Sequence, residues 1–330
     1  MSASTQFRLA LVGCGQIARL HAQRVQADGR AQWSVLFDPH PEAARRLQAE
    51  FAPQAQISPT FEDLLAHSDI DAVVICTPTH LHFEQVRACR ERGWPVLCEK
   101  PLAETGERIE QLIAEAEAGG PLLSVAYQRR GQSPYRTLRR EVQSGRWGRV
   151  LAVSSHNCEH WEQLQALPNS WRNDPRQNPG GYIGDAGSHK LDIIFFITGL
   201  RPEEVFAHSS QSQRQVEIIT TVSARLTGGT PLGMTFLGNA HHFAEYLHIV
   251  CERADFKLCD NQIWISRDNS TELLADLEPE SDPIASFLDN LLEGAPNVAP
   301  AECARPVFQF TQAVLQSART GNAVRIEGGD

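Results

Sequence analysis

The hexapeptide Gly13-Cys14-Gly15-Gln16-Ile17-Ala18 directly follows an apolar run at residues 7–12 and opens a helical pattern at 17–27. This G-x-G-x-x-A spacing constrains the fold more than any other stretch of the chain. The first glycine permits a tight strand-to-helix turn, the second lets backbone N–H groups approach a phosphate, and the helix terminus adds a positive end. Asp38 stands 20 residues after Ala18, closing the apolar run at 33–37. A carboxylate at that place hydrogen-bonds ribose hydroxyls and repels a 2′-phosphate, which favours NAD; Arg45 or Arg46 keeps NADP open. S-adenosylmethionine enzymes share such a βα start, but nothing later in the chain points to methyl transfer.

The alternation continues through the first 120 residues, with strands at 72–76 and 96–98 and helices at 41–51, 81–92 and 105–118. Strands alternating with amphipathic helices predict βαβ units and a parallel sheet. Gly119-Gly120 makes a C-cap, and the expected division is residues 1–123 and 124–330. After a helix at 133–144 the pattern changes, to strands at 150–155, 204–208, 217–226, 232–239, 246–252, 256–259 and 262–267 separated by turn signals. That run predicts a mostly antiparallel sheet, with helices at 182–198, 283–292 and 306–320. A length of 330 residues suits two domains.

The formal charge of −10 argues against nucleic acid and anionic membrane as partners, because no local basic patch reverses it. Eight cysteines without a C-x-x-C pair argue against a redox couple or a four-sulfur zinc site, and suit reduced thiols in a cytoplasm. The N-terminal residues lack the pattern of a signal peptide, and no apolar run reaches bilayer length.

Three further clusters carry chemistry. Thr77 and Pro78 leave a strand at the carboxyl edge of the predicted sheet, where open α/β folds bind ligands. His80 and His82, just beyond, suit either a cofactor contact or a local hydrogen bond at a helix start. Glu99-Lys100-Pro101 leaves the next strand at the same edge; a lysine aimed into a cleft polarises a substrate oxygen, whereas an exposed Glu-Lys pair has no role. Asp185, His189 and Asp192 share one stripe of the predicted helix 182–198, which makes His189 a candidate acid/base oriented by a carboxylate, or a plain polar face.

These motifs, in this order, with Trp171-Arg172, Gly180-Gly181 and the closing segment 307–325, resemble the glucose-fructose oxidoreductase, inositol dehydrogenase and MocA family over nearly the whole chain. The resemblance implies an α/β protein. It would have an N-terminal NAD(P)-binding Rossmann domain and a C-terminal substrate-binding α/β domain, whose large open sheet commonly forms a homodimer or homotetramer interface. It implies hydride transfer between a nicotinamide and a carbinol carbon of a sugar, cyclitol or related polyol. Lys100, Asp185 and His189 fall on the family's catalytic positions. Gly13, Gly15, Gln16, Ile17, Asp38, Thr77, Pro78, His82, Glu99 and Lys100 are the expected cofactor contacts. Trp171, Arg172 and His160 are the expected substrate contacts. The rival reading is a regulator of the same fold that senses dinucleotide without turnover.

Two features depart from the family pattern. Asn178-Pro179 precedes only a glycine pair, and Lys190 follows His189, where it is expected to point to solvent. His156, Cys158 and His160 would line one face of a strand; substrate or subunit contacts are expected of them rather than a metal. His241-His242 is read as structural or substrate-lining.

Overall fold

The computed structural model describes residues 6–168, 170–178 and 180–327; Pro179 and the first five residues of the N-terminus lie outside the described residues. The chain forms two compact units, residues 1–131 with 281–305, and residues 132–280 with 306–330.

The first unit begins with β1 (Phe7–Val12), α1 (Gln16–Asp28), β2 (Ala31–Phe37), α2 (Pro41–Phe51), β3 (Gln56–Ile57) and α3 (Phe61–Leu65). It continues with β4 (Ala72–Ile75), α4 (Thr79–Glu91), β5 (Val96–Cys98), α5 (Gly106–Glu117) and β6 (Leu123–Val125). Its six strands are all parallel, in the order β3-β2-β1-β4-β5-β6. Both faces of such a sheet are covered by crossover helices, so its central strands read as unbroken apolar runs, and Leu9–Val12 and Ala72–Ile75 are buried throughout. The order reverses between β1 and β4, the place where a doubly wound sheet opens a crevice at its carboxyl edge.

The second unit holds α6 (Ser133–Gln143), β7 (Val150–Cys158), α7 (Trp161–Gln165), α8 (Gly181–Gly184) and α9 (Gly187–Thr198). Strands β8 (Pro202–Ser210), β9 (Ile219–Leu226), β10 (Thr230–Leu237), β11 (Ala244–Cys251), β12 (Asp255–Cys259), β13 (Gln262–Arg267) and β14 (Ser270–Leu273) follow. The chain then runs through α10 (Pro283–Glu293), α11 (Ala304–Thr320) and β15 (Val324–Arg325). The nine strands are ordered β14-β13-β12-β11-β7-β10-β9-β8-β15, and only β7 and β10 pair in parallel. The predicted mostly antiparallel sheet is thus present. One register row, Trp264, Lys257, His248, Ser154, Gly233, Ser223 and Phe206, crosses seven strands on the face that stays open.

Two expectations need correction. The units are not the continuous segments 1–123 and 124–330, because α10 returns to the first. Ile284, Phe287 and Leu288 join the core cluster of Leu9, Leu11, Ala18 and Ala22. Asp282 caps the helix, accepting the Ile284 and Ala285 N–H groups, and Arg30 pairs with Asp289 and Glu293. An amphipathic helix must bury its apolar stripe, and its position in the chain does not say against what.

The helix predicted over 182–198 is also broken. Asp185, at φ −91° and ψ −85°, separates α8 from α9. Four glycines between 180 and 187 weaken the helix. Glu217 accepts the Tyr182 N–H on its carbonyl and the Ile183 N–H on its carboxylate, drawing the segment aside. Gly181, at φ +59°, is required there, since a Cβ would lie 2.7 Å from the Glu217 carbonyl oxygen.

Candidate functional site

In the first unit the turn after β1 is built for close backbone approach. Gly13 has φ +89°, and a Cβ would meet the Cys76 carbonyl and the Thr77 nitrogen at 2.9 Å, so β1 and β4 leave the sheet with their main chains nearly touching. Gly15 is the N-cap of α1, with no side chain capping the helix and open space where its Cβ would stand. The first-turn amides of Gln16 and Ile17 therefore remain for an outside acceptor. Asp38 is fixed by two backbone donors, Cys14 N–H on Oδ2 and His40 N–H on Oδ1, both 2.8 Å. These features fit a dinucleotide: an uncapped helix terminus for the pyrophosphate and a pinned carboxylate beyond β2 for the ribose. Burial and the nearby Asp38 push the Cys14 thiol up to about 12, so it is a neutral packing group.

The exits of β4 and β5 are tied together from beneath. His82 is buried, with Nδ1 2.8 Å from the Pro101 carbonyl oxygen and Nε2 2.8 Å from that of Thr77. With both ring nitrogens against main chain, it is a strap between the two loops. Burial holds its pKa below the ordinary histidine value despite the two carbonyls. Thr77 donates its hydroxyl to Gln85, 2.6 Å away, and Pro78 is the N-cap of α4. Glu99 also turns inward: Oε1 lies 2.8 Å from Nε2 of the wholly buried His21, and Oε2 accepts the Lys100 N–H at 3.2 Å. A buried His21–Glu99 pair thus braces the base of Lys100 against α1. Lys100, half-buried, is joined to Pro101 by a cis peptide.

His21 belongs to none of the sequence motifs. Its signal was the spacing Ala18, His21, Ala22, Val25, which puts a histidine in the buried stripe of α1.

In the second unit Asp185 and His189 stand on either side of the break before α9. The Ser188 hydroxyl donates to the Asp185 carbonyl at 2.6 Å and closes the corner. Asp185 is buried, and its Oδ2 lies 3.2 Å from Nε of Arg172. Arg172 in turn stands over the rings of Trp171 and Trp161, at 4.5 and 5.2 Å from their centroids. The stack continues inward from Trp161 to Tyr182 and from Tyr182 to Phe236, both buried. The break takes Asp185 off the α9 stripe that carries His189 and Asp192, and Asp192 is buried at 1 % exposure. His160, exposed, precedes α7, and His156 and Cys158 contact each other at 3.2 Å on β7, with His156 Nδ1 on the Thr235 hydroxyl. Among the described residues, no cluster has the makings of a metal site.

Lys190 corrects a further expectation. It is 5 % exposed rather than directed to solvent, paired with Glu159 at 3.0 Å and with Glu245, and lies under the ring of Phe243. A buried ammonium between two carboxylates holds the α9 start to β11.

Among the described residues no helix is long and apolar enough to cross a membrane. Residues 7–127 match the oxidoreductase family with the NAD-binding Rossmann fold, and residues 135–257 match the GFO/IDH/MocA C-terminal domain. The chain is 30 % identical over 198 residues to the rhizopine catabolism protein MocA of Rhizobium meliloti, covering 60 % of this chain and 59 % of that protein. It is 28 % identical over 200 residues to an inositol 2-dehydrogenase of Rhizobium meliloti strain 1021, covering 61 % and 57 %. The matches thus span under two thirds of those relatives' lengths. The fold is that of the WlbA dehydrogenase of Bordetella pertussis, solved in complex with NADH and UDP-GlcNAcA: TM-score 0.82 at 22 % identity, covering 97 % of this chain and 99 % of that one. With residues 7–127 and 135–257 both matched, the chain belongs to the GFO/IDH/MocA oxidoreductase family, and residues 7–127 are the family's NAD-binding Rossmann fold.

Proposed function

We propose that this chain is an NAD(P)-dependent dehydrogenase or reductase acting on a CH–OH group of a sugar, cyclitol or related polyol, with NAD as the preferred cofactor. The observation that carries the reading is the pair of prepared groups at the β1 turn, an uncapped helix terminus and a pinned Asp38, in a chain that also holds Asp185 and His189 at a closed corner. The name of one relative, inositol 2-dehydrogenase, supports the substrate class.

The nicotinamide, when bound, supplies the hydride donor or acceptor. His189 takes the hydroxyl proton during oxidation and returns it during reduction. Lys100, an ammonium with three donors, polarises the reacting oxygen and stabilises negative charge developing on it. Asp185, its charge balanced by Arg172, binds a neighbouring hydroxyl or orients His189. The His21–Glu99 pair keeps the backbone of Lys100 in place. The open face of the nine-stranded sheet serves as the subunit interface of a homodimer or homotetramer, in a cytoplasmic protein.

The test is a spectrophotometric screen of sugars and cyclitols with NAD and NADP in parallel, repeated with Lys100→Ala and His189→Ala. Each substitution should lower turnover on the order of 100-fold while cofactor binding persists. Tight NAD binding with no absorbance change across the panel would instead favour a dinucleotide-sensing regulator.

A further inference from the structure

The chain draws almost all of its positive charge from arginine: of 30 cationic residues only Lys100, Lys190 and Lys257 are lysines. Lys190 is 5 % exposed, whereas the buried Arg90 and Arg130 are arginines that donate to main-chain carbonyls. The Lys190 ammonium meets carboxylates instead, Glu159 at 3.0 Å and Glu245, under the ring of Phe243. Both acids stand on fixed main chain. Glu159 follows β7, donates its N–H to the Leu237 carbonyl and accepts the Ala240 N–H. Glu245 lies in β11 opposite Asn157 of β7, and its carboxylate receives the Tyr135 hydroxyl of α6 at 3.4 Å.

Nothing local calls for a cation at this place. Lys190 is the fourth residue of α9, and positive charge in a first turn opposes the helix dipole. Ala186 gives α9 no side-chain cap, the first turn holds no acid, and the chain is broken just upstream at Asp185. The turn is held by the packing of Gly187 on Phe236, by the Ser188 bond to the Asp185 carbonyl and by Lys190. Of these groups the lysine ammonium stands farthest from the helix axis, so it has the longest lever against rotation of the turn. An ammonium directs three donors away from one another, which suits two acids from different segments; a planar guanidinium fork pairs with one.

His189 precedes Lys190 in the same turn and moves with it. A rotation of about 15° carries a side-chain tip about 5 Å from the axis through about 1 Å. A displacement of about that size costs on the order of 100-fold in a reaction that needs aligned groups.

We infer that Lys190 is a positioning residue for His189: clamped between Glu159 and Glu245, it fixes the rotation of the first turn of α9 and so the place of the imidazole. The role rests on the proposed dehydrogenase for what His189 does, while the clamp lies wholly within the second unit.

The experiment compares wild type with Lys190→Met, Lys190→Arg, Lys190→Ala and Glu245→Gln, and with the double variant Lys190→Met/Glu245→Gln. Initial rates are measured with NAD on myo-inositol, D-glucose and D-galactose, and hydrogen exchange of residues 187–191 is followed in the NADH-loaded proteins. In Lys190→Met, kcat should fall tenfold or more with KM and NADH binding within twofold of wild type, and exchange at 187–191 should quicken tenfold. Lys190→Arg should not restore the rate. In Lys190→Ala, n-propylammonium should restore kcat at least fivefold and saturably, whereas 1-propanol, of similar size and uncharged, should not. Glu245→Gln, which keeps the lysine, should lower kcat severalfold and should add little to Lys190→Met, because both act through one clamp. A Lys190→Met kcat within twofold of wild type overturns the inference even if its melting temperature drops, as do a loss confined to KM, equal rescue by propanol, or additive losses in the double variant. Absence of turnover by wild type on all three polyols would sink the dehydrogenase reading; exchange at 187–191 would then decide the clamp, and an unchanged rate in Lys190→Met would overturn it.

Discussion

Replacing Glu217 with glutamine isolates one buried charge and makes a quantitative test of the corner that carries Asp185. Glu217 is 6 % exposed, and its two carboxylate oxygens accept from the Ile183 N–H at 3.0 Å and the Thr220 hydroxyl at 2.5 Å. Burial pushes its carboxyl from an ordinary value near 4.5 up to about 7, and those two hydrogen bonds, which favour the carboxylate, only partly offset it. The folded state therefore holds this proton more tightly than the unfolded chain. The resulting stabilisation is fully present below pH 4.5 and is lost as the pH rises through 7. At about 1.4 kcal/mol per pH unit of difference, the whole effect is about 3.5 kcal/mol, of which about 2.5 kcal/mol falls between pH 5 and 8. Glutamine keeps an acceptor for Ile183 and a group to meet Thr220, but it does not titrate. Measured from pH 5 to 8, the stability of Glu217→Gln minus that of wild type should rise by that amount. Urea unfolding combined with hydrogen exchange of peptides over 181–198 and 219–226 keeps the reading local to the second unit. Parallel pH curves for the two proteins, or a variant that weakens relative to wild type toward pH 8, would refute the reasoning.

Gly13→Ala should abolish NAD binding and destabilise the first unit by 2 kcal/mol or more on the order-of-magnitude scale of positive-φ strain plus a backbone clash, read by calorimetric titration and thermal unfolding. Asp38→Ala should raise kcat/KM with NADP relative to NAD by about tenfold or more, because it removes the repulsion of a 2′-phosphate; an unchanged ratio would place the selectivity elsewhere. Phe287→Ala should cost about 3–5 kcal/mol of first-unit stability, and hydrogen exchange should speed up in β1 and α1 rather than in the nine-stranded sheet. Protection lost in the second unit instead would show that α10 belongs there.

Much of the Rossmann half was legible because its signals are local. The glycine turn, the acid after β2 and unbroken apolar strands each follow from neighbours in sequence, and the antiparallel sheet followed from alternation and turn residues. What the pattern missed lay in contacts between distant segments. Glu99 and His82 occupy cofactor-side positions in the sequence, yet they turn inward because His21 on α1 and the carbonyls of Thr77 and Pro101 meet them there. Lysines are usually solvated, but Lys190 is buried by carboxylates that come from β11 and from the segment after β7.

The sequence by itself determined the fold class, the nicotinamide half and the identity of the residues that can do chemistry, since periodicity and short motifs encode backbone conformation directly. Only the tertiary structure decided what each of those residues touches. It moved residues 281–305 into the first unit, split the helix at Asp185, placed Asp185 on Arg172, and brought that guanidinium over two indoles. The reason is physical: a buried polar group takes whatever partner folding brings within about 3 Å, and the linear order of the chain does not state which partner that is.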